Sequence, residues 1–264
     1  MINSMQKAII KKDFRSVVFN KNLLIALIII PLVFTVFIPA VFILSVHFAP
    51  DDMGDFEQLL GLLQEDLQEE ITGQTIIAFI FNNAMPMFFM IIPIMASSIM
   101  AASSFVGEKE KRTLETLLYA PLTLTQIFQA KVWASFLLSM VMTFGSFVVM
   151  LLVVESLALL TLGSMIVPGI SWLFTMLVVA PAASLLAIVF IVGGSAKAKT
   201  IEESQQRAVF LVLPLVLMIV VQFSGVILIS AWYLLALGAI VAAIAFILMR
   251  KSMSKFTYEL LLKR

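Results

Sequence analysis

The chain has 264 residues, of which 62% are hydrophobic and 12% charged, with a net charge of +1 and a mean hydropathy of +1.10. A soluble domain carries about 25% charged residues, and surface does not shrink fast enough with size to hide so apolar a chain from water, so lipid must solvate much of it. Cysteine is absent and His47 is the single histidine, which excludes disulfides, thiolate metal centres and zinc sites built on several histidines.

The N-terminal segment, residues 1–21, reads as an amphipathic helix. Lys7, Lys11 and Arg15 recur every four residues on one face, with Met5, Ile9, Ile10, Phe14 and Val17 on the broad opposite side. Such a helix beside a span fits one lying in the membrane interface. It serves either as an anchor or as a lever on a partner.

The first apolar run, residues 23–48, exceeds the about 7–15 residues of a signal-peptide core and is expected to stay as a first span. An acidic segment follows at residues 49–74, in which Phe56, Leu59, Leu60, Leu63, Leu67 and Ile71 keep helical spacing. It reads as an amphipathic helix over the outer mouth of the spans. A helix crossing about 30 Å of hydrocarbon needs about 20 apolar residues. Uncharged stretches then place spans at about 75–105, 132–154, 171–192, 208–224 and 231–249. Pro86, Pro93, Pro181 and Pro214 fall inside them and are expected to kink their helices. The fold class is therefore all-α, in one membrane domain over residues 1–264 with six spans.

Orientation follows from lysine and arginine in short loops. All 17 lie in the N-terminal segment, the loops after the second and fourth spans, and the tail. An even span count puts every one of them on one side, with both termini in the cytoplasm.

The loop at residues 107–131 is the richest segment. Glu108 with Arg112 and Lys111 with Glu115 are opposite charges four residues apart, so the second span's helix should continue past the bilayer. Pro121 stops it. Thr123 and Gln126 form a capping-box pattern, and Leu122 and Ile127 stand where a hydrophobic staple pairs. A second short helix is expected to start near Thr123 and lie beneath the membrane before the third span. In the loop after the fourth span, Thr200 with Glu203 forms another capping pattern, and Glu203 and Arg207 form an i,i+4 pair.

Walker-type GxxxxGK[ST], HExxH and GxSxG patterns are absent from the sequence. The span interiors carry no ionisable residue, and His47 and Glu155 stand at span ends. Ion-coupled carriers usually place an acid near the midplane. Asn82, Asn83 and Gln222 remain as polar residues within spans, lining a substrate route or bonding helices together.

The run from Phe105 through Gly107, Glu108, Arg112, Glu115 and Pro121 to Lys131 resembles the loop after the second span of ABC-2 type permeases, the membrane subunits of ABC exporters. The drug- and sodium-export branch is the more similar one. The resemblance implies a permease in the cell membrane, six helices per subunit working as a homo- or heterodimer in the lipid bilayer, with no nucleic-acid partner. It implies an ABC ATPase subunit that binds ATP and Mg, with no cofactor in this chain. Glu108, Glu110, Arg112 and Glu115 would relay ATPase motion. Thr123, Gln126, Ile127 and Phe128 would belong to a coupling helix seated on the ATPase. The substrate path would run between the second and fifth spans, past Asn82, Asn83 and Gln222. One departure is the short connection of about residues 222–231, where the family carries a re-entrant outside hairpin. Either that outer gate is reduced or the fifth span is shorter. An ion-coupled secondary carrier and a non-transporting immunity or scaffold protein are the competing readings.

Overall fold

The computed structural model describes residues 3–48, 72–111, 113, 121–195, 198, 200–223 and 231–255. The acidic segment at 49–71, Arg112, Glu115 and the connection at 224–230 lie outside these residues. Everything regular among the described residues is helix. Among the described residues six stretches are long and apolar enough to cross a membrane: Lys21–Phe48, Met85–Glu110, Leu124–Leu162, Ile170–Ser195, Ile201–Gln222 and Ala231–Met253.

Helix α1 (Ser4–Val18) starts at an Asn3 cap reinforced by Gln6. The first span is α2 (Lys21–Leu32), a π-helical turn (Val33–Phe37) and α3 (Ile38–Phe48). The turn ends just before Pro39, which has no N–H for the Thr35 carbonyl and would collide with it in an α-helix. Widening the helix there relieves both problems. The fourth span repeats the device: α8 (Ile170–Phe174), a π turn (Thr175–Val179) and α9 (Ala180–Ser195), with Pro181 just beyond the turn.

The second apolar stretch is not one helix. It divides into α4 (Gly73–Asn83), α5 (Met85–Phe89) and α6 (Ile91–Glu110). Pro86 and Pro93 remove the donors that would carry the helix through Ala84 and Met90. Asn82 and Asn83 turn back and donate to the carbonyls of Ala78 and Phe79.

Helix α6 is the centre of the bundle, buried along almost its whole length. Its Ala96, Ser97, Ser98, Ala101, Ala102, Ser103 and Ser104 let neighbouring backbones approach closely. Helix α7 (Leu124–Leu162) packs on one side of it and α9 on another. The hydroxyls of Ser139 on α7 and Ser184 on α9 bond each other at 2.8 Å, and both lie 3.5 Å from the Pro93 carbonyl of α6.

Helix α7 is one unbroken helix of 39 residues, about 58 Å long and roughly twice the hydrocarbon thickness. The expected separate short helix after Thr123 is its first turns. No proline or glycine interrupts residues 124–144, so nothing breaks the backbone ladder at the bilayer edge. At its far end Gly163 takes a left-handed conformation, φ +68°, and terminates it.

Helices α10 (Ile201–Gln206), α11 (Val209–Phe223) and α12 (Ala231–Lys255) complete the described residues. One half of the core gathers around Trp172, whose ring meets Phe81, Phe89 and Phe147 at 5.2–5.5 Å between centroids. The Trp172 indole N–H donates to the Phe81 carbonyl at 3.0 Å. The other half joins Val17 and Leu23 to Met100, Phe105, Phe128 and Ile191. That second half faces the end of the bundle where α1, the end of α6, the head of α7 and α10 meet, here termed the basic end.

Candidate functional site

The residues at the basic end are arranged by two caps. Thr123 precedes α7, its hydroxyl accepting from the Gln126 N–H at 3.3 Å while the Gln126 side chain accepts from the Thr123 N–H at 3.0 Å. This reciprocal box satisfies donors that a helix start otherwise leaves open. Leu122 packs with Ile127 in the staple position, and Ile9 of α1 and Ala130 join the same cluster. Thr200 caps α10 by accepting from the Glu203 N–H at 3.2 Å, and Glu203 pairs with Arg207 at 3.8 Å.

The expected relay residues separate into distinct environments. Glu108 is buried, its Oε1 lying 2.7 Å from the Lys12 ammonium and 3.3 Å from that of Lys131. Its other oxygen, Oε2, is buried without a hydrogen-bond partner. Glu110 is exposed, and its Oε2 accepts from the Ile201 N–H at 3.0 Å, tying α6 to α10. Gly107 lies under Ile201, close enough that a Cβ there would stand 3.2 Å from Ile201 Cδ1. Arg112 and Glu115 fall outside the described residues.

The head of α7 is also two-sided. Ile127 and Phe128 point inward, Phe128 edge-on to Phe105 with centroids 5.7 Å apart. Pro121, Thr123, Thr125 and Gln129 are exposed, along one polar edge.

Asp13 and Lys131 are the residues that sequence reasoning missed. Asp13 is buried on α1 together with Gln6, Ile9 and Val17. This is the docked face, and Met5, expected on the apolar side, is exposed. The helix is therefore held by a mixed polar and apolar face against protein, with Gln6 Nε2 donating to the Gln126 carbonyl at 3.1 Å. The Lys131 ammonium donates to the Ser104 carbonyl, lies 4.0 Å from Asp13 Oδ2 and sits 5.5 Å from the Phe105 ring centroid. The Ser104 hydroxyl donates to Asp13. Burial pushes the Asp13 carboxyl above the usual carboxylate range, against the opposing pull of Lys131 and Ser104.

Two sequence features fit this placement, although neither by itself brings the two residues together. Lys131 is the lone basic residue between Arg112 and Lys197, opening a long apolar run. Gln6, Ile9, Asp13 and Val17 follow one helical face.

Asn82, Asn83 and Gln222 lie toward the opposite end of the bundle, and each is engaged in bonding. Asn82 Oδ1 accepts from the Gly169 N–H at 2.6 Å, and its amide donates to the Val167 carbonyl at 3.3 Å. Gln222 Nε2 donates to the Asn83 carbonyl at 2.8 Å, while Gln222 Oε1 is buried and unpaired. The three hold α4 to the α7–α8 connection and to α11.

A family model described as ABC-2 family transporter protein matches residues 7–238. Neither a curated protein nor a solved structure matches the chain.

Proposed function

The chain belongs to the ABC-2 family transporter proteins, a family of membrane transport subunits, and from that premise we propose that it is the permease of an ABC exporter driven by a separate ATPase. The observation that carries this reading is the head of α7. A helix about 58 Å long runs on past the bilayer as a capped, 39-residue rod with an exposed polar edge at Thr123, Thr125 and Gln129. A rod that is stiff from a polar edge through the membrane converts a push at its head into motion of a span.

The basic end faces the cytoplasm under the positive-inside rule, where an ATPase partner carrying ATP and Mg would be found. Two permease subunits would enclose the path in the cell membrane, and a drug, peptide, lipid-like or ionic substrate would be exported. Asn82, Asn83 and Gln222 remain candidates for its lining, Gln222 Oε1 being buried without a hydrogen-bond partner.

The test is affinity purification from native membranes in mild detergent. An ATPase with a Walker motif should co-purify, the complex should hydrolyse ATP, and the chain alone should not. Full transport in liposomes driven by an imposed ion gradient, with no ATPase present, would show the reading to be wrong.

A further inference from the structure

A lysine that only sets membrane topology belongs in water. Lys11 and Lys111 are exposed in that way. Lys131 is not: its side chain is 3% exposed, and the carboxylates beside it, Asp13 and Glu108, are 5% and 8% exposed. Taking three ionisable groups out of water is costly, and a capped loop between two spans does not require it. What buried charges supply is a single register. Apolar faces can slide over one another, whereas an ammonium with three donors has one arrangement that satisfies it.

The partners of Lys131 come from separate elements. Asp13 is on α1, Ser104 and Glu108 are near the end of α6, and Lys131 is in the third turn of α7. Apolar contacts follow the same path, from Ile9 to Ile127 and Ala130 and from Val17 to Phe105 and Phe128.

Resting on the permease reading, we infer that Lys131 is a positioning residue for coupling: with Asp13, Ser104 and Glu108 it locks α1, the end of α6 and the head of α7 into one rigid body. A push at Thr123 and Thr125 then reaches the buried α6 and α1 together with the third span. Without the lock, the head of α7 would rock against α6 and the motion would dissipate at the surface.

The chain has no cysteine, so spin-label pairs attached to it before it is joined to its ATPase stand only at the positions introduced. The complex with its ATPase in lipid nanodiscs carries Lys11→Cys with Thr125→Cys, or Lys11→Cys with Lys111→Cys, to report the body. Met165→Cys with Tyr233→Cys reports the opposite end. In otherwise wild-type protein, trapping with ATP and vanadate should shift the Met165–Tyr233 separation and leave both inner separations unchanged. The triple variant Lys131→Met, Asp13→Asn, Glu108→Gln strands no buried charge. It should keep its fold and its ATPase, show a shift of the Lys11–Thr125 separation on trapping, and lose the shift at the opposite end. A triple variant with wild-type behaviour at every pair would reduce Lys131 to packing and overturn the inference. Inner separations that change in the otherwise wild-type complex would also overturn it, and this measurement decides the matter even where the triple variant does not fold. If no ATPase co-purifies with the wild-type chain, the permease reading itself falls and takes the inference with it.

Discussion

The ammonium of Lys131 lies 3.3 Å from the carboxylate of Glu108, with both side chains almost fully removed from water. The two residues flank the loop between α6 and α7, so their pairing closes that loop at its base. The loop is thus tied to the bundle at its two ends, with α1 wedged against that pair through Asp13.

Lys131→Met should be strongly destabilising. Removing one partner of a buried ion pair leaves the others uncompensated, at a cost of about 3–5 kcal/mol. Lys12→Ala should cost about 1 kcal/mol or less, because the Lys12 side chain is 54% exposed and its pair with Glu108 is screened by water. Thermal unfolding of the two variants in the same detergent gives the comparison.

Asp13 makes stability depend on pH in a defined direction. Burial raises its carboxyl in the folded state above the unfolded value, so the folded chain binds that proton more tightly. Its contribution is fully present below the unfolded value and is lost as pH rises through the folded one. Asp13→Asn fixes the group neutral. Stability of Asp13→Asn relative to wild type should therefore increase from acid to neutral pH, as measured by melting temperature across that range. A difference that does not change with pH would refute the assignment.

Thr123→Ala removes the cap of α7 and should cost about 1 kcal/mol locally. Amide hydrogen exchange at residues 124–127 should accelerate while exchange in the membrane-buried turns stays unchanged. Thr123→Ser keeps the hydroxyl and should behave as wild type.

Gly238→Val should disturb the contact between α12 and the π turn of the fourth span. A Cβ at this glycine would stand 3.0 Å from Val178 Cγ1, 3.1 Å from Val179 Cγ2 and 3.4 Å from the Val179 backbone. Overpacking of this kind costs roughly 1–3 kcal/mol. Gly145→Val is the control, since a Cβ there meets nothing within 4 Å. Melting temperatures of the two variants should differ clearly.

Span number and order, and the helix starts at Thr123 and Thr200, were legible in the sequence because they rest on local rules. Apolar run length determines crossing, and capping needs only residues three positions apart. Where Pro86 and Pro93 fall was legible too, though not that the stretch before α6 would divide into three helices. What only the tertiary structure decided is where the charges go. Lys131 reads as one more interfacial lysine until α1 brings Asp13 to it from 118 positions earlier in the chain. Glu108 reads as half of a surface pair with Arg112 until Lys12 and Lys131 converge on it. Burial of a charge depends on what three separate elements place around it, and no periodicity within one element carries that information.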